Sequence, residues 1–235
     1  MTTILVTGSS RGIGAAIRAS LTAAPGIRVL GHATRVGPDT PLAADLSTAS
    51  GPALLWDAAL DQAGGAIDML VNNAGIFEAN PIEAGDWSDN GARTMQANLT
   101  ASAELCRRAV LHWRERGVGG RIVNIASRAA HRGDSPAHWH YAASKGGMVA
   151  MTKTIARGYA AEGILAFAVC PGFTMTGPAD EYVASRGGDA LLADIPLGRV
   201  ASPEEIAATV RFLCLDAPPS MTGAVLDING ASYVR

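Results

Sequence analysis

The stretch that most restricts this chain's fold comes first. A short β-branched run, Ile4–Thr7, stops at Gly8, and Ser9-Ser10-Arg11-Gly12-Ile13-Gly14 follow directly. Ile13, Ile17 and Leu21 then recur at helical spacing, so the segment reads as strand, glycine turn and helix. Three glycines in such a turn permit a tight bend and close backbone approach. They leave peptide N–H groups at the positive end of a helix, where a phosphate is attracted. The spacing is G-x3-G-x-G and not the more widespread G-x-G-x-x-G, so its place between strand and helix carries the weight. An ordinary glycine-rich turn is the competing reading of these residues taken alone.

The pattern then repeats. Apolar runs of strand length stand at Ile27–Leu30, Ile67–Val71, Ile122–Ile125, Ile164–Val169 and Ala224–Ile228. Helical periods lie between them at Pro52–Leu60, Trp87–Arg116 and Tyr141–Glu162. Another helix opens at Ser202-Pro203-Glu204-Glu205, with Ser as N-cap, Pro at the first helical position and acids in the first turn. Continuously apolar strands, each followed by a helix, predict an α/β fold: one doubly wound parallel sheet with helices on both faces, Rossmann-like. No linker or internal repeat divides the 235 residues, so residues 1–235 read as a single domain.

Charge and cysteine usage exclude several classes. The net charge is −2, without blocks of either sign. A nucleic-acid or polybasic membrane surface needs concentrated positive charge, so neither partner is expected. Cys106, Cys170 and Cys214 are an odd number without zinc-ligand spacing, which favours a reducing, cytoplasmic setting. Met1-Thr2-Thr3-Ile4 lacks a basic signal-peptide start, and no apolar run is long enough to span a membrane. His131, His138 and His140 are close in sequence, but no neighbouring carboxylate or thiolate completes a ligand set, so no metal is expected.

The end of the second strand bears on the cofactor. An Asp or Glu there would bind the 2′-hydroxyl of NAD and repel a 2′-phosphate. Gly31-His32-Ala33-Thr34-Arg35 carries no acid. Arg11 and Arg35 offer guanidinium groups to a 2′-phosphate, which favours NADP(H) over NAD(H). Further on, Tyr141 precedes Lys145 by one helical turn, so both share a face. The chain has only two lysines and four tyrosines, and chance would give Tyr-x3-Lys only about 0.03 times. Ser127 follows the fourth long run, at the carboxyl edge where α/β folds bind ligands.

Together these residues resemble the short-chain dehydrogenase/reductase family in its single-domain branch. The resemblance rests on Thr7 to Gly14, Asp45-Leu46, Asn72-Asn73-Ala74-Gly75, Asn98, Ser127, Tyr141-x3-Lys145 and Pro171-Gly172, in the family's order over nearly the whole chain. It implies hydride transfer between a ketone or aldehyde and an alcohol. Tyr141 would be general acid in reduction and base in oxidation. A free phenol titrates near 10, and a Lys145 ammonium would lower that value. Ser127 would hold the carbonyl oxygen, and Asn98 would anchor a water beside Lys145. For the cofactor, the resemblance implies contacts from Gly8, Ser10, Arg11, Gly12, Ile13, Gly14, Thr34, Arg35, Asp45, Leu46, Asn73, Ala74, Gly75, Tyr141, Lys145, Pro171, Gly172, Thr174 and Thr176. One departure is Phe167, where family members often carry a structural Asn.

The nearest sub-resemblance is to β-ketoacyl-(acyl-carrier-protein) reductases, through Ser9 to Gly14 and Thr34. A thioester reductase of fatty-acid or polyketide type is therefore one alternative, and a redox-inert dinucleotide sensor another. Arg107, Arg108, Arg114, Arg116 and Arg121 read either as a carrier-protein patch or as a solvated face. Met175–Arg199, with Tyr182 and glycines at 177, 187, 188 and 198, would be a substrate lid. Apolar Met95, Leu99, Leu105, Ala109 and Trp113 exceed what one sheet contact needs, and small residues populate 141–162. By the resemblance these two helices would pair across a two-fold axis, giving a homotetramer, with a dimer next.

Overall fold

Strands covered on both faces must be apolar in succession, and all eight residues of Ile164–Pro171 are buried. The computed structural model, which describes residues 1–176 and 188–235, places this strand (β6) in a seven-stranded sheet. The others are β1 (Thr2–Val6), β2 (Ile27–Ala33), β3 (Leu42–Ala43), β4 (Met69–Asn72), β5 (Gly120–Ile125) and β7 (Val225–Ile228). Every pairing is parallel, in the order β3-β2-β1-β4-β5-β6-β7. The chain winds outward from β1 to β3, then returns to continue from β4 on the other side. A crevice opens at such a reversal, above the carboxyl ends of β1 and β4.

Two apolar layers hold the sheet. On one face α1 (Gly12–Thr22) and α8 (Pro203–Leu215) set Ile17, Leu21, Ile206 and Val210 against Ile4, Val6, Val71 and Phe167. Phe167 is fully buried there, so the aromatic ring occupies apolar core where the family often has an amide. On the other face α2 (Gly51–Ala63), α4 (Ala101–Arg116) and α6 (Trp139–Tyr159) bring Leu55, Leu105, Ala109, Trp113 and Ile155 onto Leu5, Leu70 and Ile122. α8 starts as its sequence dictates: Ser202 and Glu205 form a reciprocal capping box around Pro203. No helix among the described residues is long and apolar enough to cross a membrane.

Several expectations need correction. The predicted helix over Trp87–Arg116 is α3 (Trp87–Met95), a π-helical turn at Gln96–Thr100 and then α4. The two-residue β3 and the short α5 (Ala129–Arg132) carry too little periodicity to be seen in sequence. Leu105, Ala109 and Trp113 are fully buried within this one chain, so their apolar character reflects internal core and not an interface. Gly147 is small for the same reason, since a Cβ there would lie 2.7 Å from Leu99 Cδ2. Of the lid, residues 177–187, including Tyr182 and glycines 177 and 187, lie outside the described residues. Beyond them α7 (Asp189–Ala193) packs Leu191 with Ile195, Val200, Phe173 and Met175.

Trp113 packs α4 against the residues at the starts of β4 and β5. Its ring is buried, its indole N–H donates to the Ile67 carbonyl at 2.7 Å, and a Cβ on Gly120 would lie 2.3 Å from it. Trp113→Ala is expected to lower unfolding stability by about 3–5 kcal/mol. Trp113→Phe, which keeps most of the apolar contact, should lose about 1–3 kcal/mol through the unsatisfied carbonyl. Urea denaturation of the two variants against wild type checks the order.

Candidate active site

The glycine turn is fixed by lack of room. Gly8 and Gly12 have positive φ, a backbone conformation costly for other residues. A Cβ on Gly8 would lie 2.7 Å from Ala74 Cα, and one on Gly14 only 2.0 Å from the Gly8 carbonyl oxygen. Asn73, just after β4, clasps this turn: its side-chain amide donates to the carbonyls of Thr7 (3.0 Å) and Gly8 (2.9 Å). Thr7 Oγ1 accepts in return from the N–H groups of Asn73 and Ala74. The ends of β1 and β4 are thereby locked across the crevice.

His32, at the end of β2, adds a second lock that sequence reasoning missed. Its Nδ1 accepts from the Gly8 N–H at 3.2 Å, and its Nε2 lies 3.0 Å from the Ala44 carbonyl. Those partners define a neutral ring with the proton on Nε2. Burial pushes its pKa below the usual histidine value, outweighing the Ala44 hydrogen bond. The only sequence signal is a polar residue within a strand.

The crevice is a cleft of about 890 Å³. Its lining includes Gly8, Ser10, Arg11, Gly12, Ile13, Gly14, Thr34, Asp45, Leu46, Asn73, Ala74, Gly75, Ser127, Tyr141, Lys145, Pro171, Gly172, Thr174 and Thr176. The expected residues from seven segments thus meet at one place. Two do not line it. Arg35 is exposed and outside the lining, whereas Arg11 is part of it. Asn98 is fully buried behind the wall, on the π-turn. The Asp45 carboxylate faces partly inward on its own loop, its Oδ1 accepting from the N–H and hydroxyl of Ser47. Those bonds hold it below the usual carboxylate range.

At the far end lie the chemical groups. Lys145 is buried on α6, and its ammonium donates to the Ile125 carbonyl at 2.8 Å. Burial lowers its pKa to about 8, against an opposing pull from the Cys170 sulfur. The ammonium lies 5.8 Å from the centre of the Tyr141 ring, one turn earlier. Phe77 packs edge-on against Tyr141, and His138 stacks on Phe77 at 4.0 Å. Ser127 Oγ accepts from the Ala129 N–H at the start of α5. Asn98 bonds both backbone groups of Ile76 and also reaches Ser144 Oγ at 3.2 Å. A π-turn frees backbone groups and displaces one residue from the helical ladder, which lets Asn98 join loop and helix here. Asn72, the neighbour of Asn73 in the same motif, points into the core and donates to Asn124 and Cys106.

The arrangement fits a dinucleotide. The glycine cradle admits no side chain, it opens a helix, and the cleft continues from it to the Tyr141–Lys145 pair. Phe77, Arg128 and Phe173 extend the lining beyond the expected set, and Arg128 packs over the Phe173 ring at 4.4 Å.

Residues 8–231 match the family described as enoyl-(acyl carrier protein) reductase. The chain belongs to the short-chain dehydrogenase/reductase family. It is 36% identical to a 3-oxoacyl-[acyl-carrier-protein] reductase of Vibrio cholerae, over 98% of this chain and 96% of that one. It is 34% identical to an acetoacetyl-CoA reductase of Rhizobium meliloti, over 97% of both chains. Identity to a 3beta-hydroxysteroid dehydrogenase of Eggerthella lenta is 35%, over 97% and 92%. The chain is an oxidoreductase of the C=O/CH–OH couple.

The His32 lock predicts a pH dependence of stability. Because its folded pKa is depressed, the unfolded chain binds the proton first as pH falls through the ordinary histidine range near 6.5. Stability is therefore full above that range and declines on acidification. Thermal unfolding between pH 7.5 and 5.5 should show the midpoint falling, and His32→Asn should make the fall shallower. His112 and His131, also depressed by burial, remain in both proteins.

Proposed function

We propose that this protein is an NADP(H)-dependent carbonyl reductase in which Tyr141 is the general acid/base. The observation that carries the reading is the buried Lys145 ammonium on the face of α6 that holds Tyr141, at the end of the cleft that begins at the glycine cradle. When bound, the nicotinamide supplies or accepts the hydride. Tyr141 gives the proton to the alkoxide formed in reduction and takes it back in oxidation. Lys145, cationic below about pH 8, favours the phenolate that remains. Ser127 donates a hydrogen bond to the reacting oxygen and orients it. Asn98 acts through structure, holding the Ile76 loop and Ser144 around the lysine.

For the cofactor, Gly8, Ser10, Gly12, Ile13 and Gly14 would hold the pyrophosphate. Asp45 and Leu46 would meet the adenine, Asn73, Ala74 and Gly75 the ribose, and Pro171, Gly172, Thr174 and Thr176 the carboxamide side. Arg11 and Thr34 support the 2′-phosphate, since β2 ends without an acid. Arg35 joins them only by reaching in from outside the lining.

A second reading, a β-ketoacyl-thioester reductase, is favoured by the acyl-thioester names of two relatives. The arginines that read either as a carrier patch or as a solvated face are largely engaged within the chain: Arg107 and Arg108 with Glu104, Arg114 with Glu162, and Arg121 with the Leu213 carbonyl. That favours the solvated face for this group. A homotetramer, with a dimer next, remains the assembly proposed. Its support is now the exposed Leu111 on α4 and Trp139 on α6. The three described cysteines are unpaired, which supports a cytoplasmic setting.

Tyr141→Phe should lower kcat by about 10²–10⁴ while NADPH binding, followed by fluorescence titration, stays nearly unchanged. A variant keeping more than about a tenth of wild-type kcat with a ketone panel would overturn the role. Arg11→Ala should raise the KM for NADPH about tenfold, the worth of one charge-assisted bond, and barely alter that for NADH. Arg35→Ala should have the smaller effect of the same sign. Equal changes with both cofactors would show that neither arginine meets the phosphate.

A further inference from the structure

Three residues from separate segments converge at the carboxyl edge of the sheet without a part in the proposed chemistry. Cys170 on β6 and Asp227 on β7 are register partners in adjacent parallel strands, so their side chains share one face. His131 reaches them from α5. Its Nε2 lies 3.6 Å from Cys170 Sγ and 3.9 Å from Asp227 Oδ1, and all three ligand atoms lie within 4.8 Å of one another. In the sequence nothing beside His131 completes a ligand set, so no metal is expected there. The fold brings a thiol and a carboxylate to it, and it takes His138 away to Phe77 and His140 away to Trp87.

The geometry separates the possible uses of this cluster. A nucleophilic Cys-His-Asp triad needs the thiol and the carboxylate on opposite ring nitrogens. Here both face Nε2, and a single N–H there satisfies only one of them. Asp227 Oδ1 is buried without a hydrogen-bond partner among the described residues, while its Oδ2 accepts from Arg235 Nε at 2.9 Å. An unpaired buried carboxylate oxygen is costly. Arg235 fixes the carboxylate so that the unpaired oxygen faces the other two ligands, and Tyr233 stacks on the His131 ring at 5.5 Å and holds its plane. Such partners orient ligands in metal sites.

We propose that His131, Cys170 and Asp227 form a binding site for a thiophilic divalent cation of the zinc(II) class. Tetrahedral zinc with N, S and O ligands places those atoms about 3.3–3.8 Å apart. Two of the observed separations are at or just beyond that range, and closing the third moves side-chain atoms by about an ångström at most. Binding forms one bond each to Nε2, Sγ and Oδ1 and releases the Cys170 thiol proton to solvent. The thiolate and carboxylate then neutralise the cation, and water takes the fourth position. Solvent reaches Asp227 through a shallow pocket shared with Tyr233 and Arg235. The site adjoins the catalytic one, since the Cys170 sulfur acts on Lys145, but metal binding is measured without reference to turnover.

Isothermal titration of the intact chain with ZnCl2 alone should give one equivalent bound with a micromolar or tighter Kd. Cobalt(II) in its place should give a thiolate-to-metal charge-transfer band in the near ultraviolet. Cys170→Ser should abolish that band, His131→Gln should weaken zinc binding at least tenfold, and Cys214→Ala, whose sulfur is buried elsewhere, should change neither. Circular dichroism of each variant establishes that it is folded, and His131→Gln carries the test should Cys170→Ser not fold. Absence of a stoichiometric site in wild type, or zinc binding undiminished in a folded His131→Gln, overturns the proposal.

Discussion

The contact on which the rest of the molecule depends is the clasp of Asn73 on the glycine turn. A parallel sheet brings the ends of β1 and β4 side by side, but it does not shape the loops beyond them. One primary amide shapes them here, by satisfying two carbonyls that a tight turn leaves exposed. The turn reaches that amide only because Gly8 and Gly14 carry no Cβ. With the turn held, the start of α1 lines the cleft, and His32 and Thr7 brace the turn from either side.

Lys145 poses the opposite problem. A buried ammonium is costly unless its hydrogens are taken up, and one of them goes to the Ile125 carbonyl at the end of β5. The same burial brings its pKa into a range useful near neutrality. Asn98, Ser144 and the Ile76 backbone form the neighbouring wall, so the lysine is set among groups from β5, α6, the π-turn and the loop after β4. This is a rigid surround for a residue that has to hold charge.

Much of this was legible in the sequence, for reasons that differ by residue. The glycines, the Tyr-x3-Lys pair and the apolar strands announce themselves through spacing, because backbone geometry demands it. Phe167 departs from the family's frequent Asn, and its burial in the α1–α8 layer explains how the fold accommodates it. What stayed hidden depended on the third dimension. Nothing local marks His32 as a brace, Asn98 as a π-turn residue, or Asp227 as a neighbour of Cys170. Periodicity also misleads where a helix packs twice: Leu105, Ala109 and Trp113 looked like surplus apolar surface because α4 covers the sheet while also touching α2 and α6.

The π-turn has a consequence for which side of α4 faces inward. Each residue of an α-helix advances it by about 100°, and a π-turn accommodates one more residue than the regular ladder. The inward stripe of Leu105, Cys106, Ala109, Val110 and Trp113 is therefore timed from Gln96–Thr100. Were the same residues wound on a continuous α ladder with none removed, each later residue would turn by about 100°, bringing Glu104, Arg108 and His112 toward the sheet in place of Leu105, Ala109 and Trp113. The extra residue held in the turn that carries Asn98 is thus felt in the hydrophobic core, along the entire helix, and not only beside the lysine.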